Sequence, residues 1–472
     1  TMGEFKGGIY ELFNRRNSTL NVTSTMFTKF AGIIKKVDFT GNISAKTENL
    51  GIIAYENYGT IENVNVSNFV INNTKTDSYV GVLVGKNYGS ITGGEIVATV
   101  KGLYVGGVVG LNGKITENAE TEDEKTYIGT ISDVLFAGNI SASNNAGGIA
   151  AENQGTIKNC KIEKWSNNKD AFISANENAN GHFGAIAGVS SGEISQTYAY
   201  SYNDTMYDVS ANANVTVGGL VGCVTGGVVS ECMTNFSLNG NGEKVGALVG
   251  EIKNGSVVNC YTLSKVSNAS AKALAISGTD KISNSYSRAY YVKNGVNTYL
   301  KQTDDEKVFT CGENAFVAGN YDTLANFNLA LQNNLKDATL WQYDENINNG
   351  SLYLVNANAP KVVDNINVNI NETDSSKYMY SEKDGTINIV MYFYKVLESL
   401  SDGVAKSQLN NLNIISLEEI FGKNNNLLFN LTASSSISFV GNELRISGVG
   451  KTEVNVTSKY ASTSCREQKI VF

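Results

Sequence analysis

One phrase recurs along the first 290 residues, and a chain that repeats itself at this interval buries its apolar face by stacking each copy on the next. The phrase reads Gly-x-aliphatic-x-(Gly or Ala), two to four residues, then Gly-x-(Ile or Val)-x-x-(Val, Cys or small). It appears as GIIAYENYGTIENV from Gly51, GVLVGKNYGSITGG from Gly81 and GGVVGLNGKITE from Gly106. It returns as GGIAAENQGTIKNC from Gly147, GAIAGVSSGEISQT from Gly184, GGLVGCVTGGVVSEC from Gly218 and GALVGEIKNGSVVNC from Gly246. Worn copies start at Ala31 and Ala273. From Gly51 onward the leading positions are 30, 25, 41, 37, 34, 28 and 27 residues apart.

Within each copy the apolar residues alternate, which is the period of a strand and not the 3.6 of a helix. A third strand-like piece, such as NVSNFVIN or VLFAGNISA, lies between copies. Three short strands and three turns per repeat predict one coil of a parallel β-helix, each coil pairing with the next at about 4.8 Å. Matching aliphatics then stack inside the tube, with Leu83, Val108, Ile149, Ile186, Leu220 and Leu248 in one ladder. The general rule for parallel crossovers predicts a right-handed helix. The longer steps hold polar insertions at 117–125, 166–177 and 203–212, read as corner loops, and in repeat folds such loops often carry binding.

The phrase resembles the GLUG repeat of bacterial surface proteins, which include adhesins and large IgA-specific metallopeptidases. The copies at Gly81, Gly218 and Gly246 carry the likeness best, and it extends over residues 30–290. The resemblance implies a solenoid and a cell-surface or secreted location, and no chemistry. In the peptidases, catalysis rests on a separate domain with an H-E-x-x-H motif. That motif is absent here, and the single histidine is His182.

These features divide the chain into a solenoid over 1–290, clearest from residue 31, a C-terminal cap over 291–360 and a third domain over 361–472. The cap contains helix-compatible spacing at 322–335, and Pro360 punctuates its end. Beyond it, alternating strands such as TINIVMYFYKV, SISFVG and ELRISGVGKTEVNVTS resemble a bacterial Ig-like β-sandwich. The helix-like spacing of 397–421 departs from that pattern. The expected fold class is therefore all-β.

Composition narrows the partners. The net charge is −8 and the pI about 5.1, with no basic stripe of the kind that releases counterions from nucleic acid. No apolar run is long enough for a membrane span. No signal peptide is evident at Thr1, as expected of a processed or cloned piece or of a chain that is not secreted. Six cysteines, no C-x-x-C and one histidine make a zinc site unexpected at these sequence spacings. Cys232 and Cys260 occupy one repeat position in neighbouring coils, and Cys160 stands two coils earlier with Gln196 or a neighbour between. Two readings stay open for them: a disulfide between stacked coils, or a ladder of buried thiols. The acidic runs Glu122–Glu124 and Asp304–Glu306 lack calcium-loop spacing and read as solvated. The glycine phrase at Gly106 lacks the strand–helix context of a dinucleotide loop. The Asn-x-Ser/Thr sites at Asn21, Asn65, Asn139 and Asn235 occur at a frequency this composition explains.

These readings predict a non-enzymatic adhesin, or its stalk, with no catalytic, cofactor or metal residues. Its partner would be a host or neighbouring-cell protein or glycan, with self-association possible. The alternatives are a structural subunit of a surface fibre or layer, and a polysaccharide-acting β-helix enzyme.

Overall fold

In the clear copies of the repeat the leading glycine is required by a turn that no side chain fits. A Cβ on Gly218 would lie 1.9 Å from the carbonyl oxygen of Val221, and at Gly106 and Gly246 the equivalent contacts are 1.8 and 1.9 Å. The second glycine of the phrase is constrained from the other side: a Cβ on Gly222 would lie 2.7 Å from the Phe183 backbone nitrogen and from the Gly188 carbonyl. The phrase is thus two strands joined by an acute corner, where two backbones touch because neither carries a Cβ.

The computed structural model describes residues 2–5, 19–115, 128–202 and 206–302, and then 316–317, 324–335, 337, 339–344, 351–355, 378–383, 386–392, 411–421, 426–431, 434–440, 443–460 and 468–472. It contains two compact units, 1–164 with 169–360, and 165–168 with 361–472. The insertion at 117–125 and the acidic runs Glu122–Glu124 and Asp304–Glu306 lie outside the described residues, as do Cys311 and Cys465.

The first unit is a parallel β-helix. A typical coil runs through Tyr79–Gly81, Val84–Asn87, Ser90–Thr92 and Glu95–Gly102, and we number the corresponding walls 1 to 4. Among the described residues these walls are sheets of 7, 9, 9 and 15 strands, the last also holding the strands that divide wall 4 in later coils. Each coil therefore has four strands where three are expected from sequence, because the phrase supplies walls 2 and 3 and its first glycine ends a further short strand, wall 1. The expected ladder forms: Leu83, Val108, Ile149, Ile186 and Leu220 each donate a backbone N–H to the next member's carbonyl, ending at Leu248, and all are fully buried.

Two further columns stack inside or at the corners. Asn57, Asn87, Asn112, Asn153 and Ser190 are buried, and each amide donates to the next side-chain oxygen at 2.8–3.2 Å. At the turn between walls 3 and 4, Asn63, Asp133, Asn159, Gln196, Glu231, Asn259 and Asn284 all take left-handed φ between 43° and 60°. Asn and Gly tolerate this region best, and Gly93 fills the same place at φ 69°.

The last coil is closed by a side chain. Gln302 Oε1 accepts from the N–H of Leu274 at 2.8 Å and of Ala275 at 3.3 Å, while its Nε2 donates to the Ala275 carbonyl at 2.6 Å. The helix Leu324–Asn334, which falls inside the segment 322–335 where helical spacing is expected, does a different job. Its Phe327 and Leu331 join Tyr198, Met233, Tyr261 and Tyr286, the outward column of wall 4. It covers the side of the solenoid, and the open strand edge falls to Gln302.

The second unit has a five-stranded and a three-stranded sheet that share one core of Ile387, Ile389, Ile415, Leu444, Val454, Val456 and Ile470. Of the helix-like segment 397–421, the described part forms the strand Ile414–Ser416 and the short helix Leu417–Phe421. Among the described residues, no helix is long and apolar enough to cross a membrane.

Candidate functional site: a polar groove along the glycine corner

The acute corner leaves a groove on the outside of the solenoid. One bank is the outward column of wall 1, Tyr79, Tyr104, Asn145, His182 and Thr216, in register from coil to coil. The other is the outward column of wall 2, Lys86, Leu111, Glu152, Val189, Cys223 and Glu251. The floor is glycine, so the banks approach closely enough to touch.

They do so through one continuous chain of polar contacts. Tyr79 stacks on Tyr104 with ring centroids 5.0 Å apart, and Lys86 Nζ lies 5.2 Å over the Tyr79 ring. The Tyr79 hydroxyl donates to Glu152 Oε2 at 3.0 Å, and Asn145 Nδ2 donates to Glu152 Oε1 at 2.8 Å. Asn145 Oδ1 accepts the backbone N–H of His182 at 3.0 Å and lies 3.4 Å from the ring nitrogen Nδ1. On the other side of the ring, Nε2 is 3.0 Å from Glu251 Oε1, which also meets Lys253 Nζ at 3.0 Å. Cys223, fully buried, completes this end, its Sγ within 4.8 Å of the His182 and Glu251 ligand atoms.

The electrostatics follow from burial. Desolvation holds His182 below its ordinary value against the pull of Glu251, which favours a neutral ring with its proton on Nε2. Burial and the Glu251 charge push the Cys223 thiol up to about 12. Burial alone would raise Glu251, but hydrogen bonds from Lys253, His182 and Cys223 overcome it and leave the carboxyl below its usual range. At the other end, burial and then Glu152 raise the Tyr79 hydroxyl well above 10.

His182, Cys223 and Glu251 offer one ligand atom each, all within 4.8 Å of one another. Sequence spacing makes a metal site unexpected because 41 and 28 residues separate these three. Stacking removes that objection: the three stand in successive coils. A signal was present in the sequence, since each precedes or follows a repeat glycine by a fixed offset, but only the four-walled coil shows that the two offsets face each other.

The other expectations fall elsewhere. Cys160, Cys232 and Cys260 are free, buried thiols, so the structure takes the thiol-ladder reading. The residue between the first two is Thr197, the neighbour of Gln196, and Ser285 follows Cys260. Each donates to the carbonyl two residues earlier: Cys232 Sγ to Ser230 at 3.1 Å, Cys260 Sγ to Val258 at 3.2 Å, Thr197 Oγ1 to Ser195 at 2.9 Å. The cysteines close the left-handed turn as Ser and Thr do. The described parts of the corner loops 166–177 and 203–212 hold no residue of the groove; Asp208 of the second forms a buried ion pair with Lys164, Nζ to Oδ1 at 3.1 Å.

No family model matches the chain, and no curated protein matches it. One solved structure does: a "putative immunoglobulin A1 protease" from Bacteroides ovatus, 15% identical, covering 71% of this chain and 88% of that one, with a TM-score of 0.34. The expectation that the chain is not an enzyme is corrected here, because a structure that bears a protease's name spans most of it. At that identity and TM-score the match assigns no activity to this chain. Its fold is a parallel β-helix followed by a second β-rich unit.

Proposed function

We propose that the chain is the body of a bacterial cell-surface or secreted protein of the adhesin type, and that the glycine-corner groove holds its ligand, a glycan of a host or neighbouring cell. The GLUG-like phrase supports the location, and the strands of the second unit support an Ig-like domain after the solenoid in the chain. The observation that carries the ligand class is the Tyr79–Tyr104 stack beside Glu152, Asn145 and Lys86. Aromatic faces take the apolar face of a sugar ring, and flanking carboxylate and amide groups pair with its hydroxyls. This reading takes the groove as the binding surface in place of the corner loops at 166–177 and 203–212.

The test is a glycan-array and matrix-protein binding survey with the purified full chain and with Tyr79→Ala/Tyr104→Ala. Saturable glycan binding that falls at least tenfold in the double variant supports the groove. Binding unchanged by the double variant, or binding only to proteins, refutes it. Any captured glycan is also assayed for cleavage. Ordered fibres without ligand would favour a structural subunit instead.

A further inference from the structure

We infer that His182, Cys223 and Glu251 form a binding site for a borderline-soft divalent metal ion, zinc being the natural occupant. The site goes beyond the glycan reading and does not depend on it, since the tyrosine pair lies at the other end of the groove.

Four observations converge. The donor set is imidazole nitrogen, thiolate sulfur and carboxylate oxygen, the mixture that zinc takes in proteins. The spacing suits it: tetrahedral zinc at about 2.0–2.3 Å from each ligand needs ligand atoms about 3.3–3.8 Å apart, and here they lie within 4.8 Å, with His182 Nε2 and Glu251 Oε1 already at 3.0 Å. Side-chain adjustments of about 1 Å close the set. The third is the support behind the histidine. A ring bound through Nε2 must carry its proton on Nδ1, and Nδ1 faces Asn145 Oδ1 at 3.4 Å. That oxygen is held in place by the His182 N–H and by the Asn145 amide bond to Glu152. Such an outer-shell acceptor fixes the tautomer and orientation of a ligating ring. Without an ion the same geometry is mismatched: with its proton on Nε2 the neutral ring turns a lone pair toward Asn145, and with it on Nδ1 it turns one toward Glu251. The fourth is the access. Lys253, which sits on the Glu251 oxygen, has a side chain 55% exposed and can swing into water.

Binding is balanced in protons. The Cys223 S–H gives its proton to solvent and the sulfur binds as thiolate. The imidazole proton moves from Nε2 to Nδ1 with no net change, and the Lys253 ammonium leaves intact. Three protein ligands leave a fourth position for water.

Cobalt(II) is the probe, in the full chain carrying Cys311→Ser and Cys465→Ser so that neither of those thiols contributes. The expected result is one equivalent of cobalt giving thiolate-to-cobalt charge transfer and tetrahedral d–d bands, both displaced by zinc. Cys223→Ser abolishes the charge-transfer band, His182→Ala and Glu251→Gln weaken zinc at least tenfold, and Cys232→Ser changes nothing. As a second readout, zinc raises the melting temperature of the parent and not that of Glu251→Gln, a partly exposed position where the variant is expected to fold. Absence of stoichiometric binding overturns the site. So does a charge-transfer band that survives Cys223→Ser, or a zinc-dependent stabilisation that survives Glu251→Gln.

Discussion

At the residue scale the ion pair Lys164–Asp208 shows how the solenoid buries charge, by pairing it with a group of the neighbouring coil. Lys164 and Asp208 are 0% and 1% exposed, and Asp208 also accepts from the Ser237 N–H at 2.6 Å and from two hydroxyls at 2.9 Å. Removing the lysine leaves a buried carboxylate with no counter-charge. Lys164→Met should cost about 3–5 kcal/mol in a urea melt, and Asp208→Asn in the same chain should recover part of it. The turn cysteines behave in the opposite way. Because Thr197 and Ser285 stand in their column, Cys232→Ser and Cys260→Ser should each shift stability by no more than about 1 kcal/mol. Native, non-reducing mass mapping should find no bond between the two. Burial pushes Cys160 up to about 12, whereas an exposed thiol ordinarily titrates near 9. Between those values the unfolded chain has lost a proton that the folded chain keeps, so stability falls as pH rises, by up to about 1.4 kcal/mol per pH unit. Denaturant melts across that window should show the decline, to which Cys223 contributes as well, and Cys160→Ser should make it shallower. An unchanged slope would rule out Cys160 as its source.

At the scale of the element, the two strands around the glycine corner set the architecture. A methyl group on Gly218 would have to displace the Val221 carbonyl and the Gly250 nitrogen, 1.9 and 2.4 Å away, both of them backbone. Gly218→Ala should therefore lower stability by about 1–3 kcal/mol or more, where Gly448→Ala, whose nearest atom is 3.8 Å off, should do little. Thermal melts of the two variants decide it. The leading glycine was legible in the sequence as the first letter of each repeat, and so were the Leu83-to-Leu248 ladder and the helix around Leu324. The fourth wall was not. Two strands meeting without an intervening polar turn look like a single apolar run, because the signal that separates them is a missing Cβ and not a change of polarity.

At the scale of the whole molecule, a solenoid carries the hazard of an open end, where unpaired strand edges template further pairing. Gln302 meets the backbone groups of Leu274 and Ala275 with the donor and acceptors of one amide. Gln302→Ala should leave the fold of earlier coils intact, since each contacts only its neighbours, yet promote concentration-dependent association visible by light scattering. A variant that stays monomeric at high concentration would show that the edge is covered by something else.

What the sequence determined by itself is what repetition and polarity determine: the stacking of coils, the inward ladder, and the change of pattern near Pro360. These depend on residues close in sequence that recur in phase, so one period carries the information. The groove was decided only in three dimensions. His182, Cys223 and Glu251 belong to three repeats and two walls, and nothing in any one repeat marks them as neighbours. They meet because parallel coils stack at about 4.8 Å and because glycine lets two backbones close to contact. A single histidine, uninformative along the chain, becomes the centre of a ligand set once the coils are laid on one another.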